Sequence, residues 1–259
     1  MREDRRMPLR QHLEELRGSL IRCFVVVVVL FAAAFYWNEL LLDVVIGPWT
    51  AARAGAMAAG GPDPGLLTTI GPAEGMVFAL RVAFLFAMLA AAPVILWEIW
   101  RFIGVGLLPA ERRAVRMAFV PALLLFAAGV AFGWLALLPV TLQILATYLD
   151  PAKFRSTVSV SQYFSFVSLL TLVMGFIFET PLVMWAVARA GLVGAAALRK
   201  ARRIAILLAL LFSAVVTPTT DAVTMLFVAV PMIVLYELGL LAADQAERRR
   251  ARDDDRRLQ

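Results

Sequence analysis

The sequence is short of the residues that carry chemistry in water. Its one cysteine, Cys23, excludes an internal disulfide, a CxxC redox pair and a multi-thiolate zinc site. Cys23 stands at the start of an apolar run and reads as a packing residue. The single histidine, His12, leaves no His-based triad and no HExxH zinc site. The phosphate-cradling pattern GxxxxGK(S/T) is missing, so ATP hydrolysis through a P-loop is excluded, and the absence of GxSxG disfavours serine-type proteolysis. No cofactor or metal is expected. Charge is sparse as well, at 17% of residues against 62% hydrophobic. A soluble domain of 259 residues has nowhere to put that much apolar side chain, because its surface must stay wet.

What is present is a series of apolar stretches. A hydrocarbon layer about 30 Å thick takes roughly 20 helical residues, and six runs approach that length: about 20–46, 76–97, 117–138, 163–188, 204–216 and 223–241. A membrane barrel would instead show short alternating segments. The expected fold is therefore all-α, a single polytopic domain with six transmembrane helices. The first run contains Ala32-Ala33-Ala34 and resembles a signal-peptide core. It continues to Ile46 and five more runs follow, which favours an uncleaved helix.

Breakers at Gly47-Pro48, Gly60-Gly61-Pro62-Asp63-Pro64-Gly65 and Gly71-Pro72 predict a loop over 47–74. Pro139 is expected to close the third helix, and Pro181 to kink the fourth. The last two spans read as short. Ile204–Val216 has 13 residues, about 20 Å of helix, and the run from Val223 to Tyr236 is nearly as brief. Such helices either thin the bilayer or span with snorkelling flanks. Residues 244–259 mix dense charges of both signs and read as a disordered cytoplasmic tail able to touch anionic lipid.

The net charge of +6 is better explained by loop asymmetry than by nucleic-acid binding. With both termini cytoplasmic, 21 of the 25 Lys and Arg residues fall inside, and only Arg53, Arg81, Lys153 and Arg155 outside.

Three places hold candidate functional residues, although solvated interfacial charges account for the second and belt aromatics with positive-inside charges for most of the third, Glu111 excepted. Glu179 lies among Phe176, Ile177, Phe178 and Leu182. A charged carboxylate at the membrane centre costs roughly 2.5–3.5 kcal/mol on insertion scales, so it should face protein or a wet cavity, or be protonated. A hydrogen-bonded structural acid and a functional polar site are both compatible with that position. The segment His12–Leu20 has Leu13, Leu16 and Leu20 at helical spacing and reads as an amphipathic lead-in to the first helix. Finally, an aromatic belt at Trp97, Trp100 and Phe102 runs into an acid–base cluster with Glu98, Arg101, Glu111, Arg112 and Arg113.

These segments, in this order, resemble the TatC family. His12–Leu20 is similar to a HLxELRxRL-like segment, and Trp100–Arg112 to a loop of the form WxFIxPxLxxxER. Thr69–Phe78 is similar to the end of the family's first external loop, and Phe178-Glu179-Thr180-Pro181 to its Phe-Glu-x-Pro motif. Thr217-Pro218-Thr219-Thr220-Asp221 resembles a Thr-Pro-x-Asp turn, and Pro231 with Tyr236-Glu237 follows in register. The departures are Ser19 in place of a second arginine, Val105 in place of a proline, one extra residue before Asp221, and Met225 in place of a glutamine.

The resemblance implies a receptor subunit of twin-arginine translocation, not an enzyme, in a bacterial inner membrane. It would bind the twin-arginine signal peptides of folded precursors and work on the proton motive force, with single-span TatA/TatB-like subunits as partners in an oligomer. Glu15 and Glu111 would accept the signal's guanidinium groups, with Arg17 and Arg112 beside them and Phe102 shielding the site. Carboxylates bind guanidinium through two parallel hydrogen bonds that lysine cannot reproduce. Glu179 would serve a step inside the membrane, while Pro48, Glu74, Asp221 and Glu237 would be partner-docking or structural positions. The rival reading is a proton-coupled secondary transporter relaying through Glu179, and an assembly scaffold is a third.

Overall fold

The computed structural model describes residues 9–58, 60, 63–105, 109–147, 158–216 and 222–258. In lipid the backbone must satisfy its own polar groups, so apolar chain becomes helix. Among the described residues there is no strand, only one bridge between Thr68 and Ser159. The helices are α1 Leu9–Tyr36, α2 Asn38–Ala58, α3 Glu74–Val105, α4 Pro109–Phe132, α5 Leu138–Thr147, α6 Val160–Phe178, α7 Thr180–Arg189, α8 Ala195–Lys200, α9 Arg202–Val216 and α10 Ala222–Leu258. Among the described residues, five stretches are long and apolar enough to cross a membrane: Glu14–Tyr36, Glu74–Phe102, Met117–Ile144, Val160–Arg189 and Thr224–Arg252. α9, with 15 residues, is short as expected.

Several sequence expectations are corrected. The loop expected from Gly47 begins only after Ala58, because α2 runs through Gly47 and Pro48. A proline removes one backbone donor, and here buried Val45 and Trp49 anchor the turn that contains it. The Tyr163 hydroxyl also donates to the Val45 carbonyl at 2.7 Å. Pro139 does not end the third span. A π-turn at Gly133–Leu137, in which the Leu138 N–H bonds the Gly133 carbonyl, widens the ladder just before the proline, and α5 continues to Thr147. The last apolar run is not a short helix either: it belongs to α10, within which Thr224–Arg252 is long and apolar enough to cross a membrane. Residues 244–258, expected to be disordered, extend it as helix to Leu258.

That extension has a physical cause. The α10 side chains Tyr236, Asp244 and Glu247 meet the segment between α7 and α9. The Tyr236 hydroxyl donates to the Leu198 carbonyl (2.7 Å), Arg199 forks onto Asp244 (2.6 and 2.8 Å), and Glu247 accepts the Ala195 N–H (3.0 Å) that opens α8. The expected kink at Pro181 is present as a break at Glu179 between α6 and α7.

Helices in lipid gain little hydrophobic energy from meeting, so close approach at small residues holds them. A methyl group on Gly129 of α4 would lie 2.4 Å from the Met174 carbonyl of α6, which shows how closely the two helices cross. Gly239, Ala243 and Ala246 of α10 play the same part beside α7 and α8, where Met184, Ala188 and Ala195 are buried.

At the end of the bundle where α3 and α6 begin, Glu74 ties the pieces together. Its carboxylate accepts from the Ile70 and Gly71 N–H groups, the Ser159 hydroxyl (2.6 Å) and the Ser161 N–H (3.1 Å). Nearby, Arg53 forks onto Asp63, which also accepts the N–H of Gly65, a glycine at φ 84°.

Candidate functional site

α1 and α3 pack antiparallel. Phe78, near the start of α3, shares a core with Val45 and Trp49 of α2, while Glu98, near its end, reaches back to Arg22 midway along α1. Positions 15, 19 and 22 fall on one face of α1 at i, i+4 and i+7, and Glu98 and Phe102 on one face of α3. The two faces meet. Arg22 grips Glu98 with two parallel bonds, Nε to Oε1 at 2.7 Å and Nη2 to Oε2 at 2.9 Å. Nη2 also donates to the Ser19 hydroxyl at 3.1 Å, and Arg101 stands 3.6 Å from Oε1. Ser19 and Glu98 are buried.

Towards the beginning of α1 the predicted site residues follow. Glu15 is partly buried, and its Oε2 is shut away from solvent with no hydrogen-bond partner among the described residues. Arg17 is exposed and Phe102 half-buried. Glu111 and Arg112 lie in the opening turns of α4; their side chains, like that of His12, fall outside the described set. The structure thus brings the Glu15 and Phe102 helices together around a buried acid. The acceptor pairing of Glu15 with Glu111 stays an expectation.

Glu179 lies in the break between α6 and α7, buried against the backbone of Phe126 on α4. Neither carboxylate oxygen has a hydrogen-bond partner at bonding geometry among the described residues. Phe126 also lines an open apolar hollow of about 400 Å³ between α3, α4 and the π-turn, with Leu89, Pro93, Leu123 and Trp134.

The remaining predicted positions separate. Pro48 sits inside α2, and Glu74 is the four-bond tie described above. Glu237 forms an ion pair with Arg202 at the start of α9 (2.5 Å). Asp221 lies outside the described residues. The sequence reading passed over Arg22 and Glu98 as partners, and Asp244 and Glu247 as helix-binding acids. Glu98 had one legible signal: an acid between Trp97 and Trp100 in a continuing helix needs a cation to be buried.

A helical chain with five long apolar stretches, buried acids within them and charge gathered at the helix ends is a multi-pass membrane protein. The family model for the Sec-independent protein translocase protein (TatC) matches residues 11–231, and the chain belongs to that family. Over 98% of its length it is 32% identical to the Sec-independent protein translocase protein TatC of Desulforapulum autotrophicum, covering 90% of that relative. To the TatC of Deinococcus radiodurans it is 34% identical, over 90% of this chain and 84% of the relative. A crystal structure of the twin-arginine translocase receptor TatC superposes with a TM-score of 0.77 at 28% identity, covering 91% of this chain and 99% of that one.

Proposed function

We propose that this chain is the receptor subunit of a twin-arginine translocation system, binding the signal peptides of folded precursors at the end of the bundle where α1 begins and α3 ends. The observation that carries this reading is the buried Glu15 oxygen with no partner among the described residues. A carboxylate held so is strongly favoured to take a guanidinium, and a planar fork satisfies it better than an ammonium. Glu111 supplies the second acceptor from α4, Arg17 and Arg112 orient the acids, and Phe102 covers the pair.

In this reading the chain crosses a bacterial inner membrane six times, α9 being the short crossing, with both termini cytoplasmic. It assembles with single-span TatA/TatB-like subunits, and the proton motive force drives export. The test is binding of a twin-arginine signal peptide to the purified protein in detergent, beside its twin-lysine variant. Strong arginine preference that disappears in Glu111→Ala supports the receptor and its site; equal binding of both peptides by folded protein overturns it.

The buried carboxylate of Glu179, without a hydrogen-bond partner among the described residues, favours one second reading, a proton-coupled transporter. Small-molecule flux in proteoliposomes that vanishes in Glu179→Gln would establish it.

A further inference from the structure

Resting on the receptor reading, we propose that Arg22 and Glu98 are a positioning pair for the signal site: their ionic fork fixes the register and rotation of α1 on α3, and so where Glu15 stands relative to Phe102. A single hydrogen bond between two helices leaves them free to pivot. Two parallel bonds from one planar guanidinium to one carboxylate, 2.7 and 2.9 Å long, fix both separation and rotation. Helices in lipid have no hydrophobic clamp to supply that constraint. The Ser19 hydroxyl holds the guanidinium from the same helix, and Arg101 faces the carboxylate from its own.

The fork is close enough to the site to matter. Glu15 lies seven residues before Arg22, about 10 Å along α1, and Phe102 lies one turn beyond Glu98. Because the helices are antiparallel, both steps lead the same way. A slip of α1 by one residue, 1.5 Å of rise and 100° of rotation, would turn Glu15 off the α3 face. The fork has a second effect. With Glu98 already saturated by Arg22, an arriving arginine finds Glu15 as the acid left to bind.

Three variants test this: Arg22→Met, the charge-swapped Arg22→Glu/Glu98→Arg, and the apolar Arg22→Met/Glu98→Met. The apolar pair keeps a packed contact and no buried charge, so it folds; its melting in detergent checks this. Twin-arginine and twin-lysine peptides are titrated against each. The swap should restore twin-arginine affinity to within about threefold of the parent. The Met pair should bind at least tenfold more weakly, with its arginine-over-lysine preference reduced by a similar factor, which general loosening would not do. Parental affinity and preference in the Met pair, or no recovery in the swap, overturns the positioning role. A parent chain without arginine preference overturns the receptor reading, and this proposal with it.

Discussion

Arg22 and Glu98 share one ion pair but not one environment: the Glu98 side chain is 6% exposed and the Arg22 side chain 45%. The two ends of the bond are therefore not equivalent to mutation. Removing Arg22 leaves a buried carboxylate without its two-bond partner, with only Arg101 at 3.6 Å, whereas removing the charge of Glu98 leaves a guanidinium that can turn to water or headgroups.

Arg22→Ala should thus destabilise the chain more than Glu98→Gln does, although Arg101 remains 3.6 Å from the carboxylate. Glu98→Gln should cost roughly 1 kcal/mol, since the amide oxygen still accepts a hydrogen bond. Unfolding in mixed detergent, followed by circular dichroism, checks the order; equal losses would contradict it.

The α4–α6 crossing should tolerate one added methyl and refuse another. At Gly129 a Cβ meets the Met174 carbonyl at 2.4 Å, which is backbone and cannot yield. At Gly175 it meets the Phe126 ring edge at 2.7 Å, which can rotate. Gly129→Ala should cost about 2–3 kcal/mol and Gly175→Ala less, measured as melting temperatures in the same detergent.

The Arg53 guanidinium and the Gly65 N–H hold the Asp63 carboxyl at about 2, below its ordinary 3.8. A depressed carboxyl contributes stability that is whole above about pH 4 and is lost as pH falls through about 2. The parent should therefore lose more melting temperature than Asp63→Asn between pH 4 and pH 2. Parallel pH profiles would remove the pair from the stability of this end.

Glu179 is buried without a bonded partner among the described residues. In Glu179→Gln, signal-peptide affinity should stay within about twofold of the parent while export by inverted vesicles falls at least tenfold. Full export by this variant would exclude Glu179 from the transport step.

Much of the architecture was legible in the residues. Apolar run length pointed to the long helices, but the run expected over 20–46 divides at Trp37 into α1 and α2, and 15 residues suffice to mark α9 as short. The break at Glu179 followed from Pro181. Breaker logic failed at Pro48 and Pro139, because a proline is a local cost that buried neighbours or a π-turn can absorb. Charge density misled at the tail, where Asp244 and Glu247 are helix-binding partners of Arg199 and the α8 N-terminus.

Of the site, the sequence by itself determined that Glu179 must be accounted for, since it stands among apolar residues; Glu15 and Glu111 entered through the family resemblance, and Glu98 stood out only as an acid within an aromatic belt. It could not determine their partners. Arg22 and Glu98 are 76 residues apart, and their meeting depends on the rotation of α1 against α3. Helices apolar on most sides carry little amphipathic signal to encode that rotation. Only packing of the whole bundle decides it, and with it that the buried Glu98 carboxylate is the one already paired.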